Sequence, residues 1–143
     1  LGKERRASEL SLLIETYKSL NKKFYGKVPI FLTGDFNGAA AGIDHEDEFK
    51  KIYSDTDLLD VSEHLEWTID QKTTFILYDK HKAPNQMQLD YFFLETKLKH
   101  LVDVKETCVY RYKRENLLPL PQTPYARAAL PSDHYPIVIK LLL

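Results

Sequence analysis

The sequence predicts one layered α/β domain whose strands pair mostly antiparallel, in preference to a doubly wound parallel sheet. Short strand-like runs interleave with helical patterns, and several of these runs follow one another with no room for a crossover helix. No Gly-rich phosphate fingerprint of the G-x-G-x-x-G or G-x-x-x-x-G-K-[ST] type accompanies them, which lowers nucleotide-cofactor readings. A chain of 143 residues, 43% hydrophobic and 12% aromatic, has the material for one core.

The elements follow in order. Over residues 3–23, Ala7, Leu10, Leu13, Ile14, Tyr17 and Leu20 recur at three- and four-residue spacing, the stripe of an amphipathic helix, and Gly26 marks its stop. The run VPIFL over 28–32, closed by Thr-Gly-Asp, predicts a buried strand that delivers Asp35 and Asn37 at its C-terminal end. Asp44, with Asp47 three residues on, reads as a helix cap before EFKKIYS; the acidic spacing lacks the glycine and distal glutamate of a calcium loop. Residues 73–78 and 89–95 read as two strands joined in a hairpin by the polar loop DKHKAPNQMQ. A further strand is expected over about 101–112, with the lone Cys108 half-buried in it. The proline-rich stretch LLPLPQTPYARAALP excludes a regular element, and 136–142 forms the last strand.

Bulk properties bound the function. The net charge of −1 offers no global attraction to nucleic acid, although KETCVYRYKR is locally basic. No apolar run approaches the roughly 20 residues needed to span a bilayer, and LGKERRASEL lacks a secretory h-region, so the expected setting is intracellular, cytoplasmic or nuclear, with no membrane partner. A single cysteine excludes an internal disulfide and a multi-thiolate metal site.

Polar chemistry borders three of the apolar runs: Asp35 and Asn37 after IFLTG, Asp90 in QLDYFF, and Asp133 with His134 before YPIVI. Each has a plain reading. Asp35 could shape an Asx turn, Asp90 could cap a hairpin, and a lone histidine is more often structural than catalytic. Taken together, three carboxylates beside core strands suggest one site, because a buried charge needs a partner or a metal. Ser132, Asp133 and His134 cannot form a triad among themselves, since successive side chains of extended backbone point to opposite faces. A working histidine needs an acceptor from a neighbouring strand, and Asp90 is the best candidate; Asp133 is then left for a metal or a water.

The ordered set GDFN, LDYFF and SDHYP resembles the C-terminal half of the endonuclease/exonuclease/phosphatase superfamily, the deoxyribonuclease I-like fold. The resemblance spans residues 1–143 and implies a layered α/β sandwich of mostly antiparallel sheets, of which this chain is the C-terminal half and the N-terminal half is missing. It implies a Mg²⁺-dependent (or Mn²⁺-dependent) phosphodiester hydrolase in which Asp35 and Asn37 orient the attacking water and contact the phosphate. Asp90 orients His134, and Asp133 lies near the metal. The proline-rich loop and KTTFILYD look most like nocturnin and the carbon-catabolite-repression type deadenylases, which implies a 3′–5′ exoribonuclease acting on RNA. Apurinic/apyrimidinic-site DNA endonucleases and inositol-phosphate or sphingomyelin phosphodiesterases share the same motif logic. The family's principal metal-ligating glutamate lies in the other half, so the chain alone is expected to be inactive and, with one strand layer unpartnered, unstable. A non-catalytic binding module is the third class.

For substrate contact, Tyr110, Arg111, Tyr112, Lys113 and Arg114 mix aromatic and basic groups suited to stacking bases and holding phosphates. Alternation offers the competing picture of tyrosines inward and cations in water. His81, Lys82 and Asn85 in the polar loop are further candidates.

Overall fold

A computed structural model describes residues 2–112 and 119–143. The first helix, α1 (Gly2–Lys23), forms where the stripe predicts it. Only Leu10, Ile14 and Tyr17 are buried, however, while Leu13 and Leu20 stay largely exposed. The narrow line at spacings of four and three seats the helix on a sheet rather than among other helices. Its end is closed by the Gly26 amide donating to the Asn21 carbonyl at 2.9 Å, with Gly26 at φ 65, a left-handed conformation that glycine adopts without a Cβ penalty.

Strand β1 (Phe31–Asp35) starts three residues later than the apolar run and ends at Asp35, the strand end that the sequence reading gave it. It is also mostly exposed rather than buried, because it lies at the edge of a three-stranded antiparallel sheet of order β1-β5-β2, with β2 at Leu58–Asp60 and β5 at Asp90–Glu95. The central strand β5 accounts for the near-continuous DYFFLE. Tyr91 and Phe93 pack with Leu10, Ile14, Tyr17, Phe49, Ile52 and Leu58, whereas Leu94 packs with Val61 and Val102 in a separate cluster. A strand covered on both faces has no polar side to alternate.

The expected cap at Asp44 is not formed. A 3-10 turn (Asp47–Phe49) leads into α2 (Lys50–Asp55), the residue preceding the turn is Glu46, and it makes no side-chain cap. Asp47 instead pairs with Lys50 at 2.7 Å on the surface. Two short helices that the sequence reading did not anticipate follow β2. The first, α3 (Val61–His64), is capped by Asp60; the second, α4 (Ile69–Lys72), opens with a capping box between Thr68 and Gln71.

The expected hairpin is also re-partnered. Strand β3 (Phe75–Leu77) pairs antiparallel with β4 (Asn85–Met87), which lies inside the stretch read as loop, while residues 90–95 belong to the first sheet. The chain therefore leaves one ladder at Met87 and joins another at Asp90. Of residues 101–112, only β6 (Cys108–Val109) is strand, paired with β7 (Ile137–Val138), and the stretch before it winds into a 3-10 turn (Thr96–Leu101). Cys108 is half-buried in that strand, as expected. The proline-rich stretch does hold a regular element: α5 (Pro124–Ala128), with Pro124 in the first turn and the Thr123 hydroxyl accepting from the Ala126 amide. Proline at the first helical position lacks only an N–H that would have had no helical partner.

The described residues are thus a mixed α/β structure in which every named strand pair is antiparallel. No helix among them is long and apolar enough to cross a membrane.

Candidate functional site

Two of the three motifs meet through strand register. In the β1–β5 pair, Asp35 stands directly opposite Asp90. Opposed residues of an antiparallel pair project to the same face with Cβ atoms about 4.5–5.5 Å apart, so two carboxylates share one end of the sheet.

The third motif arrives just before β7. His134 Nδ1 lies 2.7 Å from Asp90 Oδ2, and both side chains are half-buried. Four contacts fix the histidine. Its backbone bridges to Phe75, and its ring stands 5.1 Å from the Phe75 ring. Its amide donates to Ser132 Oγ at 3.1 Å, and its carbonyl accepts from the Tyr112 hydroxyl at 2.6 Å. With Nδ1 engaged by a carboxylate, Nε2 is the ring nitrogen left to meet another group. The Ser132-Asp133-His134 run is not a triad: Ser132 serves the turn, Asp133 is exposed, and the acceptor for His134 comes from a residue 44 positions away.

Asp35 makes the turn of its plain reading. Its Oδ1 accepts from the Asn37 amide at 2.8 Å, which is the Asx turn, and the residue remains exposed at the strand end. Asn37 is exposed as well and sits at φ 51, a left-handed conformation that asparagine tolerates better than most residues. A groove of about 160 Å³ between α1 and β1 is lined by Arg6, Leu13, Thr33, Asp35 and Asn37; it does not extend to Asp90 or His134.

The proposed substrate residues separate. Arg111 does not offer its guanidinium to solvent: it is 8% exposed and donates to the Asp70 carbonyl, with the Asp70 carboxylate 3.4 Å away. Tyr112 is half-buried and spends its hydroxyl on His134. Lys113 and Arg114 lie outside the described residues. His81, Lys82 and Asn85 are exposed; the last of these opens β4.

The implied cation meets an incomplete donor set. Among the described residues, no three His, Cys, Asp or Glu side chains come together in a way that could hold a metal ion. Of the carboxylates in the motifs, Asp35 and Asp90 share one sheet end through their register, and Asp133 is exposed.

Sequence reasoning missed a buried polar chain beneath the pair. Asp60 caps α3 through the Glu63 amide at 3.1 Å and accepts from the Ser62 hydroxyl. Gln88 Nε2 donates to Ser62 Oγ at 3.0 Å and reaches the Asp90 carbonyl at 3.4 Å. Burial pushes the Asp60 carboxyl up to about 6, although Ser62 and the Glu63 amide oppose the rise. The only sequence signal was an aspartate before a helical turn, which reads as an ordinary cap.

Comparison with family models, curated proteins and solved structures finds no match to this chain. The functional reading therefore stands on the motifs and this geometry.

Proposed function

We propose that the chain carries the aspartate–histidine part of a Mg²⁺-dependent phosphodiester hydrolase of the deoxyribonuclease I-like kind, acting on RNA as a 3′–5′ exoribonuclease of the deadenylase type. The observation that supports this most is the 2.7 Å contact between His134 Nδ1 and Asp90 Oδ2, with Asp35 paired to Asp90 across the strand register. A carboxylate, an exposed amide and an oriented imidazole at one sheet end suit in-line attack of water on phosphorus.

In this proposal, Asp35 accepts the proton of the attacking water through the oxygen not used by the Asn37 amide. The Asn37 side-chain amide and, in its doubly protonated imidazolium form, His134 through Nε2–H donate to phosphoryl oxygens, where charge grows as the bond to the leaving oxygen lengthens. Asp90 holds the ring. Mg²⁺, or Mn²⁺, would neutralise phosphate charge when bound. Its main ligand would be the glutamate that the resemblance assigns to the other half of such a domain. The edge position of β1, paired with β5 alone among the described residues, is compatible with a further protein layer there. The preference for RNA rests on the resemblance, because Arg111 and Tyr112 are occupied within the fold.

The test is hydrolysis by the full-length protein of oligo(A), abasic duplex DNA and inositol phosphates, with Mg²⁺ or with EDTA. Oligo(A) should be trimmed only with Mg²⁺, and His134→Ala or Asp35→Asn should each slow the reaction by about 10²–10⁴-fold. Cleavage of another substrate in preference would move the assignment within the superfamily. Full activity in EDTA, or in both variants, would refute the mechanism.

A further inference from the structure

We propose that Thr74, fully buried below the site, is a positioning residue for the Asp90–His134 pair, setting the carboxylate and the imidazole against each other through one hydroxyl and one peptide group. The inference rests on reading Asp90 and His134 as the working pair. It concerns what sets their geometry rather than what they do.

The chain changes sheets between Met87, the last residue paired with β3, and Asp90, the first paired with β1. Over such a step a strand loses its ladder partners, and buried amides must find acceptors elsewhere. Thr74 Oγ1 is that acceptor for two consecutive amides, Leu89 at 2.9 Å and Asp90 at 3.1 Å. A hydroxyl oxygen has two lone pairs, and both are used here. The Asp90 amide is thus held by a side chain, while the residue itself pairs in register with Asp35 of β1.

The same residue fixes the other partner. The Thr74 carbonyl accepts from the Tyr135 amide at 2.8 Å, the peptide group immediately after His134, and the Thr74 amide donates to the Met87 carbonyl at 2.9 Å. The next residue, Phe75, bridges to His134 and lies against its ring. Asp90 and His134, 44 positions apart in sequence, are therefore both referenced to Thr74, which is 0% exposed and in full packing contact. A 2.7 Å contact between two half-buried side chains holds only if their backbones hold, and a displacement of an ångström at a reacting group costs on the order of a hundredfold in rate.

The test compares Thr74→Val, which keeps the shape and removes the acceptor, with Thr74→Ser, which keeps the acceptor. The first readout needs no activity: ¹⁵N NMR of the histidine-labelled protein in mildly alkaline buffer, with His134 assigned by its loss in His134→Gln. Asp90 as acceptor holds the ring proton on Nδ1, so wild type and Thr74→Ser should show the Nδ1–H form, and Thr74→Val should shift toward Nε2–H. The second readout is oligo(A) hydrolysis, in which Thr74→Val should lower kcat by about a hundredfold with KM little changed, and Thr74→Ser should restore it. A Thr74→Val protein that melts earlier but keeps the wild-type ring form and kcat would reduce Thr74 to a structural residue and overturn the proposal. Should Thr74→Val fail to fold, Thr74→Cys decides: its larger, weaker acceptor should give an intermediate ring state, and a wild-type one overturns the proposal. If the full-length wild type hydrolyses nothing, the hydrolase reading fails while the ring readout still decides the role of Thr74.

Discussion

Asp60→Asn probes the buried chain under the site through the pH dependence of stability. Asp60 is 2% exposed; its Oδ2 accepts from Ser62 and the Glu63 amide, and its Oδ1 has no partner among the described residues. Burial raises its carboxyl from the ordinary 3.8 to about 6, which corresponds to about 3 kcal/mol of preference for the neutral form in the folded state. The folded protein then keeps a proton that the unfolded chain has already released. Stability from this group is therefore full below about pH 4 and is lost as pH rises through about 6. Glu46 and Asp47, held below the usual carboxylate range by Lys3 and Lys50, act in the opposite sense at the acid end, and they cancel when variant and wild type are compared. Asparagine cannot ionise, so the stability of Asp60→Asn relative to wild type should improve by about 2.5 kcal/mol between pH 4 and pH 8, or roughly 8 °C in melting temperature. Its absolute stability at pH 4 should be lower, since one amide hydrogen atom pair replaces an oxygen with no acceptor nearby. The assay is urea denaturation followed by far-UV circular dichroism across that range. A constant difference between the two proteins would refute the reasoning, because it would mean that Asp60 titrates alike folded and unfolded.

Two further outcomes test the fold that carries the site. Phe93→Ala, at a position with 0% exposure in the central strand, should cost about 3–5 kcal/mol, read as a fall in the urea midpoint with the slope unchanged. Thr68→Ala removes half of the capping box at α4, where the Gln71 amide donates to Thr68 Oγ1 at 3.3 Å, and should cost about 1 kcal/mol in the same measurement.

The sequence by itself determined what depends on local periodicity and local stereochemistry. The spacing of Leu10, Ile14 and Tyr17 fixed a helix and one of its faces, and Gly26 fixed its end. Backbone alternation was enough to reject a Ser132-Asp133-His134 triad and to require an acceptor for His134 from a neighbouring strand; Asp90, the candidate named for it, stands at 2.7 Å. Tertiary structure decided which strands meet and which faces are covered. Residues 73–78 and 89–95 carry similar apolar patterns, and nothing local distinguishes pairing with each other from pairing with β4 and β1; in the fold, β5 packs Tyr91 and Phe93 with residues of α1 and Leu94 with Val61 of α3. The register that places Asp35 opposite Asp90 likewise exists only once the two strands are paired. Burial is likewise a property of contacts rather than of residue type. Arg111 looks like a solvent-facing cation in sequence yet is enclosed beside Asp70, and Asp60 and Thr74 look like a cap and a strand residue yet supply the polar support beneath the site. A side chain's character is written in the sequence, but the dielectric around it and the partners within reach exist only once distant segments have packed.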